Sequence, residues 1–135
     1  MIPRFVTVTL PPIPKQLRAQ NRSHWKAKAD HLKRYRSDVC NAFKAAMGDM
    51  RFERATLSMT LYADLTKMRL ANGYAPKDIG NLIAAFKSGQ DGIVDAGLIP
   101  DDSAKYLSYG AVKILGGKAA RGRCELIVVV TEVVD

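Results

Sequence analysis

The sequence predicts an α+β fold: a small mixed β-sheet of about four strands with two main helices packed on it. Three observations carry this. Arg4–Leu10, Ala55–Leu65 and Tyr106–Leu115 are short, strand-forming stretches, and the first two alternate apolar with polar residues, the period of a half-buried strand. Two longer stretches between them repeat apolar residues every third or fourth position, the period of one helix face. Leu126–Val130, LIVVV, shows no alternation, which marks a central strand or one covered on both faces. With 135 residues and a 47% apolar fraction, the chain is expected to form a single domain over residues 1–135.

The first strand, RFVTVTL, draws its apolar weight from Phe5, Val6, Val8 and Leu10, and Pro11, Pro12 and Pro14 end it in a stiff extended connection. A long helix follows from Ser23 or His24, with Ser23 a plausible N-cap. Leu32, Tyr35, Val39, Phe43, Ala46 and Met47 make its core stripe, and Lys26, Lys28, Lys33, Arg34, Arg36 and Lys44 its basic face. Trp25 and Tyr35 are expected in the core, with base stacking the other reading. The second strand places Leu57, Met59, Leu61 and Ala63 on one face. Residues 66–77 read as a basic loop, because Asn72-Gly73 is a turn signal and Pro76 blocks a helix.

A second helix is expected from about Asp78 to Gly97. Leu82, Ala85, Phe86, Gly89 and Ile93 form its apolar stripe, and Lys87, Asp91 and Asp95 a polar one, with Lys87 and Asp91 close enough to pair. Gly97 is placed as the C-cap and Pro100 stops the helix resuming. Gly89 and Gly92 permit a close helix approach, within the domain or across a dimer. A third strand with a bulge at Gly110, a Gly116-Gly117 turn and the apolar strand Cys124–Val134 complete the order.

Carboxylates thus flank the second helix: Asp78 before it, Asp101 and Asp102 after it. Taken alone, an Asp at a helix start is a cap and an Asp pair after Gly and Pro is a turn. Converging on a cation, they would suit Mg²⁺, a hard ion held by carboxylates, water and phosphate.

The stretches KDIGNL, K-x-x-x-D and DAGLIPDD, with TVTLPPIP and the Asn21-Arg22-x-His24-Trp25 opening of the long helix, resemble the RusA family of Holliday junction resolvases. The resemblance implies a RusA-like α+β domain acting as a homodimer, a Mg²⁺-dependent endonuclease (Mn²⁺ can substitute) of phages, prophages and some bacteria. By position, Asp78 and Asp102 match catalytic, metal-holding aspartates and Lys87 the helix lysine, which would stabilise charge on the phosphoryl oxygens. Asp101 is a helper ligand and Asn81 a support for an acidic ligand or metal-bound water. The family's Asp-x-Asp pattern has Gly80 at its second aspartate, which removes one expected ligand. The alternative function is therefore a protein that binds branched DNA and cuts it weakly or not at all.

The net charge of +8 fits a polyanionic partner, nucleic acid before an anionic membrane surface. The DNA-contact candidates are Arg22, His24, Lys26, Lys28, Lys33, Lys67, Arg69 and Lys77, which would neutralise backbone phosphates; otherwise they are a solvated face. A third reading is a basic protein that binds the acidic surface of another protein. No small-molecule substrate and no membrane are expected: no apolar run is long enough to span a bilayer, and prolines interrupt residues 1–20 where a signal core would lie. Cys40 and Cys124 lack CxxC spacing and fit a reduced, cytoplasmic setting, the bacterial host's if phage-encoded.

Overall fold

The computed structural model describes residues 2–17, 25–70, 73 and 75–135. Strand β1 (Phe5–Leu10) turns Val6, Val8 and Leu10 into the core and leaves Phe5, Thr7 and Thr9 exposed. Strand β2 (Ala55–Ala63) buries every second residue from Ala55 to Ala63, as its alternation predicts. With β3 (Leu107–Gly116) and β4 (Cys124–Glu132) they form one mixed sheet in the order β1-β4-β2-β3. The apolar strand β4 is central and antiparallel to both neighbours, while β2 and β3 run parallel. A parallel pair needs a crossover, and the helical region between β2 and β3 provides it. On β4, Leu126, Val128 and Val130 are fully buried, whereas Ile127 and Val129 are half-buried. The run is apolar because it is central, and only one of its faces is deep core.

The bulge expected at Gly110 is present. Leu57 pairs with Tyr109 but Met59 pairs with Val112, so β3 carries one extra residue at Gly110–Ala111. A Cβ on Gly110 would sit 2.6 Å from Ser58 Oγ and 2.8 Å from Thr56 Cγ2, so β2 leaves no room for a side chain there.

Helix α1 (Trp25–Met47) packs Tyr35, Val39, Cys40, Phe43 and Met47 inward. Two expectations fail on it: Ala46 is exposed and Trp25, assigned to the core, is 75% exposed at the first described turn. The expected start at Ser23 or His24 lies outside the described residues.

The loop expected over residues 66–77 is partly helical. Asp64 Oδ1 accepts hydrogen bonds from the amides of Thr66 (3.1 Å) and Lys67 (3.2 Å), and a short helix α2 (Leu65–Leu70) follows, burying Met68. Asp64 is therefore a cap, not the tail of a strand.

The single helix expected after Asp78 is two, α3 (Ile79–Ala85) and α4 (Lys87–Ala96), divided at Phe86. Hydrogen bonding continues across the break: Phe86 N donates to Leu82 O at 3.0 Å and Gln90 N to Phe86 O at 2.9 Å. The apolar stripe Leu82, Ala85, Phe86, Gly89 and Ile93 is buried as predicted, and Phe86 meets Tyr35 edge-on. Gly97 adopts φ 87°, the left-handed cap its position suggested.

The close helix approach lies within the domain. A Cβ on Gly92 would fall 2.5 Å from the Arg36 carbonyl oxygen and 3.1 Å from Cys40 N, so α4 rests on the backbone of α1 at this glycine. No described helix is long and apolar enough to cross a membrane.

Candidate functional site

The first turn of α4 carries Lys87, and one turn later Asp91 accepts from its ammonium at 2.8 Å. After the Gly97 cap the chain buries Leu98 and Ile99, and Phe52 N donates to Leu98 O at 2.7 Å. That anchor returns the next acidic turn to α4. Asp102 Oδ2 accepts from Lys87 Nζ and, at 2.9 Å, from Gln90 Nε2. Tyr109 of β3 donates its hydroxyl to Gln90 Oε1, which fixes the amide with its nitrogen toward Asp102. Two carboxylates, one ammonium, one amide and one phenol thus converge from α4, the turn after it and β3.

The charges reinforce one another. The hydrogen bonds from Lys87 and then Gln90 hold the Asp102 carboxyl at about 2, and Asp102 and Asp91 push the Lys87 ammonium up. Burial raises the Tyr109 phenol to about 12. At neutral pH the cluster is an ionised Asp102, a charged Lys87 and a protonated Tyr109. The Lys87 side chain is 61% exposed and that of Asp102 20%, so the lysine forms the solvent side of the cluster.

Asp78 stands apart from this arrangement. It caps α3, its Oδ1 accepting from Asn81 N at 2.8 Å and its Oδ2 from Asn81 Nδ2 at 3.2 Å. Gly80 is exposed in the first turn of α3, and a Cβ there would meet only Asp78 Oδ1, at 3.4 Å. Asp102 shares its cation with Asp91 rather than Asp78, and Asp101 is exposed. Among the described residues, no three His, Cys, Asp or Glu side chains come together as a metal set.

Asp91 and Asp95 of the polar stripe both have cationic partners, and the Lys87–Asp91 pair is the one their spacing predicts. Asp91 holds Lys87, and Arg36 of α1 forks onto Asp95 with Nε at 2.5 Å and Nη2 at 2.8 Å. Gln90 and Tyr109 carried no sequence signal, since their partners are 12 and 19 residues distant.

Of the basic candidates, Lys26 and Lys33 are exposed on α1 and Lys28 is half-buried. Arg69 and Lys77 are exposed, while the Lys67 ammonium donates to the Gly122 carbonyl and ties α2 to the turn before β4. Arg22 and His24 lie outside the described residues.

No family model matches the chain, and no curated protein does. Among solved structures, one described as cyanuric acid hydrolase is similar at 13% identity and a TM-score of 0.42. The match covers 97% of this chain and 38% of that one, a likeness that assigns neither family nor activity.

Proposed function

We propose that this chain is a Mg²⁺-dependent endonuclease that binds four-way DNA junctions and hydrolyses phosphodiesters within them, as a homodimer in a bacterial cytoplasm. The observation that supports it is the meeting of Asp91 and Asp102 on the one ammonium of Lys87, beside the basic helix α1. Ionised carboxylate oxygens are the donors Mg²⁺ prefers. Asp102, with Asp91 beside it, would hold the ion; Asp78 and Asp101 are the further candidates, and Asp78 would have to release the Asn81 amide. Bound there, Mg²⁺ would polarise a phosphate and lower the pKa of a water. Lys87, exposed enough to swing off Asp102, stabilises charge on the phosphoryl oxygens. Gln90, fixed by Tyr109, keeps Asp102 aligned when the lysine leaves.

Gly80 favours a second reading, a junction-binding protein with weak or no cleavage. The position has room for a side chain beside Asp78 and supplies no carboxylate.

Cleavage of a synthetic four-way junction with Mg²⁺ or Mn²⁺, against an EDTA control, tests both. Symmetric cuts by the natural chain that disappear in Asp102→Asn support the nuclease. Cuts by Gly80→Asp alone support the binder. Absence of cutting by all three, with no preference for junction over linear duplex in a gel shift, overturns both readings.

A further inference from the structure

Lys87 is the cation of two ion pairs at once. Its ammonium donates to Asp91 Oδ1 at 2.8 Å and to Asp102 Oδ2, so both carboxylates spend an oxygen on the same nitrogen. The carboxylates lie deeper than their counterion: the Asp91 and Asp102 side chains are 29% and 20% exposed, against 61% for Lys87. A cation arriving from solvent therefore meets the ammonium first. Like charges repel too strongly at contact distance to share those oxygens, so ammonium and metal are alternatives there.

Two features separate this arrangement from an ordinary surface ion pair. The first is the contrast with Asp95, on the same stripe. Arg36 grips Asp95 with two nitrogens of a rigid planar fork carried by another helix. Lys87 holds its partners through one nitrogen on a flexible four-carbon stem, and it can leave without moving α4. The second is the separate support of the carboxylates. Gln90 Nε2 donates to Asp102 Oδ2 at 2.9 Å and is itself fixed by Tyr109, while Asp91 is carried by α4 one turn beyond Lys87. Both keep their places when the lysine goes. Two carboxylates suit Mg²⁺, which fills the rest of its shell with water and phosphate.

Resting on the junction-nuclease reading, we propose that Lys87 stands in for the divalent cation: it closes the Asp91–Asp102 pair to metal in the DNA-free chain, and a backbone phosphate opens the pair by drawing the ammonium away. The same side chain then acts twice. On the carboxylates it keeps metal out while no strand is present, and on the phosphate it stabilises charge. Metal loading is thereby tied to the presence of DNA.

The test is a Mn²⁺ titration at fixed ionic strength, with free Mn²⁺ read by electron paramagnetic resonance. Without DNA, Lys87→Met should bind Mn²⁺ roughly 10-fold or more tightly than the natural chain, because two charge-assisted hydrogen bonds no longer have to be broken. Lys87→Gln, polar but uncharged, is the second variant and should show the same gain. Lys87→Arg keeps a cation on the pair and should stay within about 2-fold of the natural chain. Lys33→Met removes a charge from the groove that Lys87 and Asp91 also line, yet releases neither carboxylate, and should gain less than about 2-fold. Adding Asp102→Asn to Lys87→Met should abolish the gain. A saturating four-way junction should then narrow the gap between Lys87→Met and the natural chain, since the lysine has moved to the phosphate.

Equal Mn²⁺ affinity in the natural chain and both uncharged variants overturns the proposal. An equal gain in Lys33→Met also overturns it, because the effect would then be one of general charge. These DNA-free results leave the junction reading standing. A gap that the junction leaves unchanged overturns the proposal as well, since the strand then does not draw the lysine off. If the natural chain binds no junction in the gel shift, that reading has failed and the proposal falls with it.

Discussion

Gly92 is the point where α4 lies directly on α1, so adding one methyl there probes both packing and site. A Cβ would stand 2.5 Å from Arg36 O, 3.1 Å from Cys40 N and 3.1 Å from Val39 Cβ. Two of these neighbours are backbone and cannot rotate away, so Gly92→Ala must push the helices apart by the better part of an ångström. Overpacking of this kind costs up to about 3 kcal/mol. Replacing glycine by alanine inside a helix returns about 1 kcal/mol. The net loss is about 2 kcal/mol, which for a chain of this size lowers Tm by roughly 7 °C. Gly80→Ala is the internal control: its Cβ would meet only Asp78 Oδ1 at an ordinary 3.4 Å, so propensity acts alone and stability rises by about 0.5 kcal/mol. Calorimetry or urea titration of both variants reads the difference in sign. Equal or greater stability in Gly92→Ala would refute the packing argument, since α1 and α4 would then have slack at their tightest contact.

Phe43, fully buried, should lose about 3–5 kcal/mol on substitution by Ala, a fall of roughly 10–18 °C in Tm by calorimetry. The Asp102 carboxyl is depressed from 3.8 to about 2 in the folded chain, so its contribution to stability is whole above about pH 4 and is lost as pH falls toward 2. Urea midpoints measured from pH 5 to pH 2 should therefore fall more steeply for the natural chain than for Asp102→Asn; parallel curves would count against the Lys87–Asp102 contact. Lys87→Met removes the cation shared by Asp91 and Asp102, so the Asp102 carboxyl should titrate at higher pH, which carbon-detected NMR of the side-chain carboxyl would register.

The sheet was legible because its signals are local. Leu57, Met59, Leu61 and Ala63 alternate in sequence and point the same way in space, and the uninterrupted apolar run of β4 marks its central place. The stripe of α3 and α4 was legible for the same reason, although the break at Phe86 was not: hydrogen bonds cross it, so the period hardly changes. Helix α2 was missed because Asp64 follows the alternation of β2 without interruption and its role as a cap depends on two amides beyond it. The site was half legible. Lys87–Asp91 is a pair one helical turn apart, and spacing alone reveals it. Arg36–Asp95, Gln90–Asp102 and Tyr109–Gln90 join residues from different elements, and no periodicity encodes them. Trp25 misled because a large aromatic at a helix start suggests burial, yet the first described turn of α1 reaches beyond the core.

The position of β4 also bears on the order in which the molecule can assemble. It is the last strand in sequence, yet it lies between β1 and β2, pairing Phe5 with Thr131 and Ala55 with Glu132. Until it arrives, β1 has no strand beside it and β2 can pair only with β3. Most of the sheet's contacts are therefore long-range, a topology that folds slowly and keeps apolar strand edges open while the chain is being made. During synthesis, β1, β2 and β3 leave the ribosome before the strand that joins β1 to the rest of the sheet.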